Sequence, residues 1–111
     1  MDLSKAQKKK VRELIDIALY RDYTDGIIRV KKLVNNFEEG TSDPREFYFK
    51  LYENVKTKDK QIALRYNGLT GSRYLSTLIS LLQDGVVYTE ELEILDVELR
   101  SYILSWLESV N

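Results

Sequence analysis

Apolar residues recur at Val11, Ile15, Leu19, Tyr23, Ile27, Val30, Val34 and Phe37, always three or four residues apart. That spacing is the period of one face of an α-helix. Ser4 with Gln7 three residues on forms a capping-box pattern at its start. Gly26 falls inside the run, where a glycine costs about 1 kcal/mol against alanine, and Thr24-Asp25-Gly26 offers an alternative break. One helix is expected, ending before Gly40 and about 50 Å long at 1.5 Å per residue.

A second start follows at Asp43-Pro44-Arg45-Glu46, with an N-cap, a proline in the first turn and a carboxylate at the third position. Phe47, Leu51, Val55, Ile62 and Tyr66 share a face of this helix. Between Val55 and Ile62 the stretch KTKDKQ has no apolar residue. Residues 56–61 are therefore expected to face solvent or a partner, with Lys58 and Asp59 outside the core. Asn67-Gly68 reads as a stop. A third helix holds Tyr74, Leu75, Leu78, Ile79 and Leu82.

The segment LLQDGVVYTEELEIL then stops one helix at Asp84-Gly85 and starts another at Thr89. The expectation is a tight helical corner, with Leu82, Val86, Leu92 and Leu95 packed together. Gly85 is expected at positive φ, and Thr89 as the cap of a fourth helix, with Glu90 and Glu91 at its N-terminal end and apolar residues recurring from Leu92 to Val110. The fold class is all-α: a long N-terminal helix and a second helix form an extended body, with a small C-terminal helical hairpin as a head. Residues 1–111 are read as one all-helical domain.

Composition removes much chemistry. There are no cysteines and no histidines among the 111 residues. Thiolate ligands, disulfides and the usual general base are thereby excluded. No phosphate-loop, nucleophile-elbow or metalloprotease motif is present. The turn GLTGS lacks the lysine and the preceding strand of a phosphate cradle and reads as a turn. No catalytic residue, cofactor or metal is expected, and the chain is read as non-enzymatic. No apolar stretch has the ~18 residues of a membrane span, and no signal peptide is evident. The expected location is cytoplasmic.

Charge is uneven. Residues 1–60 carry 14 Lys/Arg and 11 Asp/Glu, whereas residues 84–111 carry Arg100 against seven acids. Lys8-Lys9-Lys10 is too short a basic run to imply nucleic acid. Tyrosines at helical spacing (Tyr20, Tyr23, Tyr52, Tyr66, Tyr74, Tyr102) suit either the rim of a core or an interface.

Several landmarks, in order, resemble the fluorescence recovery protein family of cyanobacteria and its bacterial relatives. ALYRD (Ala18–Asp22) is similar to that family's A-x-x-R-E, and SDPREFYFKLYE to D-P-x-D-x-W-K-L-H-D. In this alignment Phe49 stands for the tryptophan, Tyr52 for the histidine, and Lys50 and Glu53 for the lysine and aspartate. Arg65-Tyr66-Asn67 then falls on K-Y-D, and LLQDGVVYTEEL on L-L-x-E-G-x-V-x-x-E-E-L. The resemblance spans residues 14–104. Around residues 67–76 the chain departs from the family, with a one-residue insertion and no aromatic end near Ser76.

The resemblance implies a non-enzymatic regulatory module working through protein–protein contact, and a homodimer built on the long helices. Candidate partner-binding residues are Phe49, Lys50, Tyr52, Glu53, Tyr74 and Ser76. The orange carotenoid protein is the implied partner only if the family's function carries over. The apolar stripe argues separately for dimerisation through Ile15, Leu19, Tyr23, Ile27, Val30 and Val34, since it is longer than the third and fourth helices can cover. The acidic C-terminal segment suits a basic partner surface. The alternative reading is a compact four-helix bundle of the bacteriocin-immunity type.

Overall fold

The computed structural model describes residues 1–40 and 43–110. Four α-helices form: α1 (Lys5–Glu39), α2 (Pro44–Tyr66), α3 (Tyr74–Gln83) and α4 (Val97–Val110). Two 3-10 segments, Gly71–Arg73 and Thr89–Ile94, precede α3 and α4. Among the described residues there is no strand, and the all-α reading stands. No helix among them is long and apolar enough to cross a membrane.

The helix ends follow local chemistry. Ser4 and Gln7 form the expected reciprocal cap: Ser4 N donates to Gln7 Oε1 at 2.8 Å, and Gln7 N donates to Ser4 Oγ at 3.1 Å. Asp43 caps α2 by accepting from Arg45 N at 3.2 Å, with Pro44 in the first turn. Gly68, at φ +68, follows the end of α2. α1 is unbroken at Gly26.

The chain divides into two compact units: Met1–Leu19 with Gly68–Asn111, and Tyr20–Asn67. α1 contributes to both. In the first unit Val11, Leu14, Ile15 and Ala18 are buried, along with Leu78, Ile79 and Leu81 of α3 and Leu99 and Ile103 of α4. Val87, Leu92 and Leu95 close this core from the connecting segment. In the second unit the later half of α1 lies beside α2. Phe37 and Phe47 stack there, with ring centroids 4.5 Å apart.

The stripe expected to form one face of α1 does not stay on one side. Four residues turn a helix by about 40° more than a full circle. Between Val11 and Ile27 every step is of four residues, so the stripe spirals by roughly 160°. Exposure rises along it: Val11 0%, Ile15 1%, Leu19 half-buried, Tyr23 52% and Ile27 69%. Ile15 lies inside the protomer's own core, which corrects its assignment to a dimer interface.

At the C-terminal corner α3 ends in a Schellman motif. Val86 N donates to Leu81 O at 2.9 Å and Gly85 N to Leu82 O at 3.2 Å, with Gly85 at φ +73 as expected. The buried corner residues are Leu81, Val87, Leu92 and Leu95, while Leu82 and Val86 are only half-buried. Thr89 is not the cap of α4. Tyr88 is the N-cap of the 3-10 segment, its N–H donating to Glu91 Oε1 at 3.0 Å. The segment from Leu92 is likewise not continuous with α4. Asp96 begins that helix, its Oδ1 accepting from Leu99 N at 2.8 Å, while its Oδ2 accepts from Gln7 Nε2 at 3.0 Å. One glutamine amide thus serves the caps of both α1 and α4.

Gly85→Ala is expected to destabilise the protein by about 1–2 kcal/mol, the cost of a Cβ in the left-handed region. Asp96→Ala lowers the midpoint of urea unfolding. Thr89→Ala stays within about 0.5 kcal/mol of the parent, as a surface change away from any cap. Urea titrations followed by circular dichroism check all three.

Candidate functional site

Two features of the second unit stand out: a buried charge cluster, and an apolar face left open beside it. At the centre of the cluster is Asp22, whose side chain is 7% exposed. A carboxylate this far from water requires donors around it. Lys58 Nζ lies 3.2 Å from Asp22 Oδ1, and Arg65 Nη1 lies 3.0 Å from Asp22 Oδ2. The Tyr66 hydroxyl donates a short hydrogen bond to the same Oδ2. Lys58 Nζ also reaches Asp25 Oδ2 at 3.0 Å, and Arg29 holds Asp25 from the next turn at 2.9 Å.

Burial alone pushes the Asp22 carboxyl up; the hydrogen bonds from Tyr66, Arg65 and Lys58 outweigh it and hold the group below its ordinary value. The Asp25 carboxyl is lowered chiefly by its hydrogen bond from Lys58. The Tyr66 hydroxyl is pushed well up, by burial first and then by donating to Asp22. A carboxylate kept ionised by three donors is a weak proton acceptor, so this geometry suits holding two helices together rather than acid–base catalysis.

Lys58 corrects the expectation that residues 56–61 are all exposed. Asp59 and the other four are exposed, but Lys58 is 8% exposed. The slot for it is Gly26. A Cβ at Gly26 would stand 3.0 Å from Lys58 Cγ. The glycine that weakens the helix locally admits the lysine stem, and Asp22, one turn back, and the adjacent Asp25 receive its ammonium. A polar run therefore conceals one inward residue, which apolar periodicity does not register. Asp22 and Arg65 carry no apolar pattern either, whereas Tyr66 lies on the apolar face of α2 and brings its hydroxyl to Asp22. The fold brings ALYRD and Arg65-Tyr66-Asn67, two of the segments with family likeness, together here.

The open face lies beside the cluster. A shallow groove of about 280 Å³ runs between α1 and α2, lined by Tyr23, Ile27 and Val30 on one side and Val55 and Ile62 on the other. Gly26, Lys58 and Asp59 complete it. Tyr23, Ile27 and Val55 are each more than half exposed, and Val30 and Val34 are half-buried. Of the candidate partner-binding residues, Phe49 and Tyr52 are exposed on α2 at 63% and 56%, and Lys56 Nζ stands 5.9 Å from the Tyr52 ring centroid. Lys50 and Glu53 line a separate, polar cleft with Arg29 and Gln61. Tyr74 and Ser76 belong to the first unit. Tyr74 is half-buried under the Arg12 guanidinium, 5.7 Å from its ring centroid, and Ser76 is exposed. The six residues thus divide between the two units.

Asp22→Ala is expected to cost about 3–5 kcal/mol, because Lys58 and Arg65 lose their shared buried partner. The pH dependence has a definite sign. A carboxyl lowered on folding stabilises the protein above its unfolded value, 3.8, and that contribution is lost as pH falls through the folded value. Asp22→Asn is expected to flatten this acid limb in urea titrations across pH. Compared with family models, curated proteins and solved structures, the chain matches none.

Proposed function

We propose that the chain is a non-enzymatic regulatory module acting through protein–protein contact, and that it pairs with a second copy through the open face of α1 and α2. The observation that carries this is the imbalance of the second unit. Among its described residues only Ile62 and Tyr66 are buried apolar side chains, while Tyr20, Tyr23, Ile27, Tyr48, Phe49, Tyr52, Val55 and Leu64 are all more than half exposed. Helical layers form a core by covering one another. A second hairpin supplies the missing layer.

The energetics favour this pairing. Fully burying one large aliphatic side chain is worth roughly 1.5–3 kcal/mol. Ile27 is 69% and Val55 53% exposed, so covering them and their symmetry mates supplies about 4–7 kcal/mol, and the tyrosines around them add to this against an association cost of about 4–15 kcal/mol. Charge does not oppose it: of the groove-lining residues only Lys58 and Asp59 are charged, and the Lys58 ammonium is already neutralised inside the protomer. An isologous pair places identical apolar patches against each other, as twofold association requires.

Dimerisation on long helices is also what the likeness to the fluorescence recovery protein family implies. With Phe49 and Tyr52 in place of that family's tryptophan and histidine, the target protein of this module differs from the family's. The exposed Glu90, Glu93 and Glu98 of the first unit suit a target with a basic surface.

Sedimentation velocity with mass determination tests the pairing. The parent protein is expected to be a dimer at micromolar concentration. Ile27→Asp and Val55→Asp, both at exposed positions of the protomer, are expected to yield monomers with unchanged helix content, because a charge buried without a partner is strongly unfavourable. A monomeric parent protein would sink the proposal.

A further inference from the structure

The run Lys8-Lys9-Lys10 separates in space. Lys10 turns to Glu13, 3.7 Å away along α1. Lys8 and Lys9 instead join Lys5 and Arg12 on the opposite face, at the three- and four-residue spacing that aligns side chains on a helix. These four line a broad groove of about 860 Å³ with Gly71 and Tyr74. Two carboxylates, Glu13 and Asp16, line it as well. Glu13 is engaged by Lys10, and Asp16 is held by Arg12 at 3.0 Å. Lys5, Lys8 and Lys9 have no ion-pair partner among the described residues.

Lys8 is the distinctive member. It is half-buried, and its chain end lies flat on the backbone of Gly71: a Cβ there would stand 3.1 Å from both Cε and Nζ. The turn GLTGS carries no lysine of its own, and α1 brings one to it. An ammonium held beside backbone with no ion-pair partner among the described residues is placed to receive an anion.

We propose that this groove binds a ligand carrying two or more linked phosphate groups. The ammonium groups extend from positions about 5–6 Å apart along the helix, a span matched by a chain of phosphates rather than by a single one. Lysines act on phosphate as point charges, whereas bidentate capture of a carboxylate calls for a guanidinium, and that of Arg12 is already committed to Asp16. With net charge −1 on the whole chain, attraction of a polyanion is local to this groove rather than a property of the entire surface.

Titration calorimetry with inorganic tripolyphosphate at low salt tests the site. One saturable site per chain is expected, weakening as salt is raised. Lys8→Gln is expected to reduce affinity by about tenfold or more, and Lys10→Gln by no more than about twofold. The two variants remove the same charge from the same run, and thermal melts confirm that both remain folded. No saturable binding to the parent protein, or equal losses in the two variants, would overturn the proposal. Sedimentation with phosphatidylcholine vesicles, with and without a phosphatidylinositol bisphosphate, identifies the source of the phosphates. Binding only to the phosphorylated vesicles, competed by tripolyphosphate, assigns a lipid headgroup; tripolyphosphate binding without vesicle binding assigns a free ligand.

Discussion

The pairing of α1 with α2 depends on removing the Asp22 carboxylate from water. Two helices alone offer little apolar surface to each other, and in this unit only Ile62 and Tyr66 are buried apolar residues among those described. The hairpin is held instead by groups that must find one another. Once Asp22 is enclosed, Lys58, Arg65 and Tyr66 have to reach it, and each does so from a different position along α2. A shift of α2 by one residue would strand every partner. Apolar packing tolerates small slips; a satisfied buried charge does not. The Phe37–Phe47 stack keeps the same register: it lies eleven residues beyond Gly26 on α1 and eleven before Lys58 on α2.

That register explains why the second unit remains open. Specificity comes from a polar cluster, which leaves the apolar residues free for a covering layer. The rotation of the α1 stripe completes the arrangement. Because four-residue steps overshoot a turn, the stripe does not hold one line along α1: Val11 and Ile15 are buried in the first unit, whereas Tyr23 and Ile27 are exposed in the second. A single uninterrupted helix therefore provides a core face to α3 and α4 and, two turns later, an outward face. Steps alternating three and four residues would have kept all these side chains on one line.

Much of this was legible in the sequence, where the signal was local. The Ser4/Gln7 box, the Asp43-Pro44 start, the Asn67-Gly68 stop and positive φ at Gly85 each depend on a few adjacent residues, and each is present. What was hidden depends on distant ones. Asp96, not Thr89, starts α4, because Leu92 and Leu95 enter the core from a 3-10 segment and its C-cap rather than from the helix itself. Lys58 sits in a polar run and turns inward only because Gly26 and Asp22 lie opposite. Spacing within α2 does not encode an event that α1 determines.

The two lysines that lie on glycines show how one device serves two ends. Lys58 crosses Gly26, and Lys8 crosses Gly71; in each case a missing Cβ lets a long cationic side chain lie close to backbone. The difference lies at the ammonium. Lys58 reaches two carboxylates and becomes part of the protein's internal structure. Lys8 reaches none, and its neighbours Lys5 and Lys9 add charge of the same sign. Holding like charges together on one helix face costs stability, and the two acids that line the same groove offset only part of it, since Glu13 pairs with Lys10 and Asp16 with Arg12. Those pairings leave Lys5, Lys8 and Lys9 without an ion-pair partner among the described residues, which is the imbalance an anionic ligand would relieve.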